Sequence, residues 1–258
     1  MLQKRESEDL VTSMSNVTWS TFHAECSRQR LRKPATCSLL PLFYEVAHTE
    51  AMNFYSMNVI QQAVHHLSPE QIPVIVMDQP LYALAKKIQW CVPNTHGEDK
   101  FVIMFGGLHI EMASLKVIGD LLSGSGWTSA LVEAGIASSG TADSFLKASH
   151  VTKTRHAHQV TASCLYMLLK KAYTDCTPEE NGDMSLEDWC CERNTKSAQF
   201  KYWYQVLLLE VDVLILIRSL STSNFQLYID ALKNIAPWFF ALDHTNYARY
   251  LKKIYSSK

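Results

Sequence analysis

Two short apolar runs constrain this chain more than any other feature. Pro73-Val74-Ile75-Val76-Met77 and Phe101-Val102-Ile103-Met104-Phe105 are rich in β-branched and aromatic side chains. A run of this kind, bounded by polar and turn residues, reads as a fully buried strand. Each is followed by helical spacing: Leu81, Leu84, Ala85, Ile88 and Trp90 after the first, and Leu108 to about Leu122 after the second. Strand, helix, strand, helix over about 73–122 is a βαβ unit with two adjacent parallel strands. In such sheets chemistry gathers at the carboxyl ends of the strands.

Elsewhere the spacing is helical. From Leu39 to Leu67 apolar positions recur on one face until Ser68-Pro69 ends the pattern. Residues 127–174 read as helix with breaks near Gly135 and Gly140. A long helix runs from about Ala198 to Ser219 and another from Asn224 to about Ile235, after which Pro237 starts an aromatic segment. The expected fold class is α-rich α/β, a small buried sheet surrounded by many helices. Residues 1–38 are polar and expected to be poorly ordered. Residues 39–258 form one globular domain, with an acidic loop at about 175–192 that holds seven acids and no base. A content of 47% hydrophobic residues is enough to offset ordering entropy over that length.

The formal charge of -1 disfavours a strongly basic nucleic-acid module. Arg28 to Lys33 holds four bases in six residues, which would suit nucleic acid or nuclear import, or simply a solvated turn. The run Val206 to Ile217 is shorter than the ~20 residues of a spanning helix. Glu210 and Asp212 interrupt it, so no membrane association is expected. The seven cysteines include no C-x-x-C pair and read as free thiols of a reducing compartment. No signal peptide is visible in the charged start, MLQKRESEDL, and an intracellular location, nucleus or cytoplasm, is expected.

Several residues could carry chemistry. Asp78 closes the first strand, where a carboxylate is costly to desolvate unless paired or bound to a cation. It reads as a metal ligand or general base, or as the N-cap of the next helix. His109 and Glu111 follow Gly106-Gly107, where missing side chains permit close approach. His109 would polarise a phosphate or join Asp78 at a metal; a hydrogen-bonded core histidine is the other reading. Glu210 lies in Leu207-Leu208-Leu209-Glu210-Val211-Asp212-Val213, a helix apolar enough to be buried nearly all round. It is a third carboxylate for a divalent metal, or half of a buried ion pair with Arg218, Lys201 or a histidine. Asp243, His244, Asn246 and Arg249 crowd one segment beside Trp238-Phe239-Phe240, as a hydrogen-bond network or the lip of a site. Arg155-His156-Ala157-His158 suggests a metal pair, but helical residues two apart do not face each other. Ser123-Gly124-Ser125-Gly126 resembles a phosphate loop, yet it follows a helix and lacks the Walker lysine.

The blocks Asp78-Gln79-Pro80-Leu81-Tyr82-Ala83-Leu84-Ala85-Lys86, Phe105-Gly106-Gly107-Leu108-His109-Ile110-Glu111-Met112, Thr154-Arg155-His156-Ala157-His158-Gln159 and Leu242-Asp243-His244-Thr245-Asn246-Tyr247-Ala248-Arg249 run through most of the chain. In them it resembles a large set of uncharacterised, transposon-derived animal proteins. The resemblance implies a degenerate RNase H-like transposase core. In that fold acids at two strand ends and on a later helix hold two metal ions that activate water for phosphodiester cleavage. Asp78 fits the first position and Glu210 the third, with His109 and Glu111 nearest the second. Catalysis would then fall to Asp78, Glu210 and His109, the metal, Mg or Mn, to Asp78, Glu111 and Glu210, and the partner would be DNA. The alternative is a catalytically inactive helical protein-interaction domain that kept the fold.

Overall fold

The computed structural model describes residues 38–176, 184–244 and 246–249. Contacts divide the chain into two units, Met1–Tyr44 and Glu45–Lys258, a little later than the boundary read from composition. Of the first, residues 38–44 are described; they are irregular and exposed. The basic window and the middle of the acidic stretch lie outside the described residues.

The second unit is an α-rich α/β fold. Its first helix, α1 (Glu50–Leu67), begins later than the spacing from Leu39 suggests. Thr49 sets the start, because its hydroxyl accepts from the Met52 amide. Strand β1 (Val74–Met77), helix α2 (Gln79–Cys91), the single turn α3 (Pro93–His96), β2 (Val102–Phe105) and α4 (Gly107–Leu122) follow. The strands pair in parallel, Val74 beside Val102 through Met77 beside Phe105, as expected of the βαβ unit. They are not fully buried. Ile75, Met77, Ile103 and Phe105 point into the core, with Tyr82 of α2 edge-on to Phe105. Val74, Val76 and Val102 on the other face are 54%, 61% and 42% exposed. The alternation arises because only one side of the sheet is covered by helices among the described residues.

After Gly126, whose φ of +85° needs a residue without a side chain, come α5 (Trp127–Glu133), α6 (Ser139–Phe145) and α7 (Val151–Asp175). The first break falls at Gly135, as read from sequence; Gly140 instead lies inside α6. The acidic stretch is not all loop, since α8 (Leu186–Lys196) takes up its end. Ser185 caps α8, Glu187 and Asp188 sit in its first turn, and Arg193 and Lys196 in its last, which suits the helix dipole.

Helix α9 (Ala198–Thr222) is the axis of the unit and packs against α10 (Phe225–Ala241), α7, α4 and α8. It is not buried all round: Leu209, Val213 and Leu216 face the core, while Leu208 and Val211 remain exposed. Pro237 sits inside α10 rather than starting a new segment. The buried neighbours Ile235, Ala236 and Phe239 hold that turn in place despite the lost amide. No helix among the described residues is long and apolar enough to cross a membrane.

Candidate functional site

The carboxyl ends of β1 and β2 bring Asp78 and His109 to one end of the sheet. Asp78 there is the N-cap of α2, its Oδ1 accepting from the Leu81 amide at 3.2 Å. Pro80 follows in the first turn, where its missing N–H costs nothing. Gly106 donates to the Met77 carbonyl at 2.7 Å, and a side chain on it would meet the His109 ring and that carbonyl. Glycine eases the close approach of strand end and imidazole there. Tyr247 stacks on Phe239 and meets Phe105 edge-on. Burial raises its phenol above the ordinary range, and the charge of Asp78 adds to that.

Glu111 lies two residues beyond His109 on α4 and is turned away to α7. Its two oxygens accept from Arg155 Nε and a terminal nitrogen at 2.7 and 2.9 Å. The glutamate side chain is 4% exposed and the arginine side chain 28%. A two-pronged pair of this kind fixes direction as well as charge.

Glu210 meets α7 one turn beyond. His158 Nδ1 lies 2.7 Å from Glu210 Oε1, and both side chains are 0% exposed. Burial pushes the Glu210 carboxyl up, against the opposing pull of His158. The indole of Trp127 stacks on the His158 ring at 4.9 Å, with its own N–H donated to Thr161. His158 Nε2, Glu210 Oε2 and the Thr154 hydroxyl are buried without a hydrogen-bond partner among the described residues. The tetrapeptide Arg155-His156-Ala157-His158 therefore works at a spacing of three: Arg155 and His158 share a face and each holds one acid.

The expected metal set of Asp78, Glu111 and Glu210 is not assembled. Among the described residues no three His, Cys, Asp or Glu side chains are grouped to hold a metal ion. Glu111 is paired with the Arg155 guanidinium, and Glu210 is held by His158 Nδ1. The donor set does not fit two shared magnesium or manganese ions, and no hydrolytic step is derived through them. The four-residue polar cluster is likewise dispersed. Asp243, at φ +60°, turns the chain at the end of α10, and Asn246 and Arg249 are exposed. Of the four, His244 is the one whose side chain reaches a partner among the described residues, Asp120 of α4 at 3.0 Å. Burial would raise the Asp120 carboxyl, but Lys116 and His244 outweigh it and the net shift is downward.

Residues 18–190 match the model of the family described as Domain of unknown function (DUF8702). The chain belongs to this DUF8702 family. No curated protein and no solved structure matches it. Asp78, Glu111, Arg155 and His158 lie within the stretch typical of the DUF8702 family, whereas Glu210 and the α10 segment lie beyond it.

A pocket of about 680 Å³ opens between α5, the second half of α7 and the start of α9. The signal for it was Leu165, Leu168, Leu169 and Ala172, apolar residues too numerous for the narrow stripe that α7 buries against α9.

Proposed function

We propose that this DUF8702 member is a catalytically inactive, transposon-derived helical domain that binds other proteins. The observation that carries the reading is the uncovered face of the β1–β2 sheet. Parallel strands are ordinarily covered on both faces, and a two-stranded sheet is marginal alone. Here Val74, Val76 and Val102 stand exposed, and among the described residues neither strand has a partner on its outer edge. An extended segment with alternating apolar side chains could add to that edge and pack its own side chains beside the valines.

The competing reading is a nucleic-acid-processing core that uses Mg or Mn and acts on DNA. It needs Asp78, Glu111 and Glu210 free to share cations. The cap at Asp78, the Arg155 clamp on Glu111 and the His158 contact of Glu210 weigh against it.

Selection of strand-length peptides on the immobilised chain tests the proposal. Alternating apolar sequences should be enriched, and their binding should be lost in the exposed-face double variant Val74→Lys with Val76→Lys. No enrichment, or binding that the double variant retains, would remove the sheet face as an interaction surface.

A further inference from the structure

We propose that the pocket between α5, α7 and α9 is a binding site for an uncharged, largely apolar small molecule. The pocket lies away from the sheet, and the inference stands whether or not the sheet face binds protein. Its volume, about 680 Å³, is within the range of sites that enclose small organic ligands. Leu165, Leu169, Phe200 and Trp203 are among the residues that form its walls, and among the described residues no Asp, Glu, Lys, Arg or His lines it. A charged ligand would be desolvated there with nothing to pair against.

The hydroxyls that do reach the lining are already engaged. Thr161 donates to the Ala157 carbonyl and accepts from the Trp127 indole. Ser125 donates to the Leu122 carbonyl and accepts from the Trp127 amide. Ser197 accepts from the Phe200 amide at the start of α9, and the Tyr204 hydroxyl is hydrogen-bonded to the Cys190 thiol. The exposed Gln199 amide is left at the mouth as the handle for one neutral polar group of a ligand.

The wall is also held in place before any ligand arrives. Trp127 is fixed at its amide by Ser125, at its indole N–H by Thr161 and across its ring by His158. The turn Ser123-Gly124-Ser125-Gly126, with both glycines at positive φ, delivers it there. That turn therefore seats an aromatic wall, in place of the phosphate its composition suggests. A preformed wall lowers the ordering cost of binding. The buried His158–Glu210 pair behind Trp127 then serves as the anchor of the pocket wall.

Nile red, a neutral lipophilic dye, is the probe for the full-length chain. It should bind saturably. Dodecanol should displace it well, and dodecylamine and laurate poorly. Cys164 is exposed on α7 and lines the pocket, so Cys164→Trp fills the space without entering the core. This variant should weaken Nile red by at least ~10-fold with an unchanged thermal midpoint. In the wild-type chain, dodecanol should slow alkylation of Cys164. Absent saturable binding, or binding that Cys164→Trp leaves intact, overturns the proposal. Equal displacement by laurate or dodecylamine overturns the uncharged class. Binding of an amphipathic helical peptide where dodecanol and Nile red both fail would assign the pocket to a protein partner instead.

Discussion

Glu210 and His158 show how an apolar helix can carry an acid. An ionised carboxyl at 0% exposure is tolerable only with a close partner, and the imidazole 2.7 Å away supplies it. Burial nevertheless raises the carboxyl above its ordinary value near 4.5. Between that value and the raised one the folded chain holds more protons than the unfolded chain, so stability falls as pH rises through this window. Glu210→Gln removes the titration. The stability of the wild type minus that of Glu210→Gln should therefore decline as pH climbs above 4.5. Denaturant unfolding from pH 4 to 8 checks this, and a flat difference would contradict it. Arg155→Met leaves Glu111 buried without its cation and should cost about 2–3 kcal/mol. A loss below ~0.5 kcal/mol in the same assay would mean that the clamp is ornamental. At this scale the sequence was half legible. A buried acid in an apolar helix announces its need for a partner, and a histidine was among those considered for Glu210. The partners lie 44 and 52 residues away along the chain, and local spacing has no term for such contacts. Arg155 and His158, three apart, share one helical face, whereas the two histidines, two apart, diverge.

The elements were the most readable level, wherever local chemistry decides. Both strands, the crossover helix and the turn at Gly126 follow from β-branched runs, proline in a first turn and glycine at positive φ. Asp78 was the ambiguous residue, because the same position at a strand end serves a cap or a metal. A cap is replaceable by another capping side chain and a metal ligand is not. Asp78→Ala should lose about 1 kcal/mol, while Asp78→Ser should stay within ~0.5 kcal/mol of wild type. Equal losses in thermal or denaturant unfolding would go against the cap. Elsewhere tertiary contacts overrule local signals. Pro237 is carried inside α10 by the core it packs on, and α8 forms in an acidic stretch because a serine caps it. Gly119 shows the reverse dependence. A side chain there would lie 2.2 Å from the Leu146 carbonyl oxygen, a backbone atom that cannot swing aside. Gly119→Ala should cost about 2–3 kcal/mol despite better helix propensity. A stability gain would show that α4 and the end of α6 are packed more loosely.

Across the whole molecule, the features expected to make a catalytic centre hold the helices together. Helix α4 is tied to α7 by Glu111–Arg155, and α7 to α9 by His158–Glu210. The two pairs occupy successive turns of α7. The sheet end keeps Asp78, His109 and Tyr247, but no other acid joins them as a ligand group among the described residues. This arrangement could not be read from composition or motif, since it depends on the direction in which each acid points. The central claim is that these carboxylates are structural. Calorimetric titration of manganese into the full-length chain, beside Asp78→Ala, tests it most directly. The account predicts no binding at millimolar metal in either protein. Tight binding by the wild type that Asp78→Ala abolishes would contradict it and restore the metal-dependent reading.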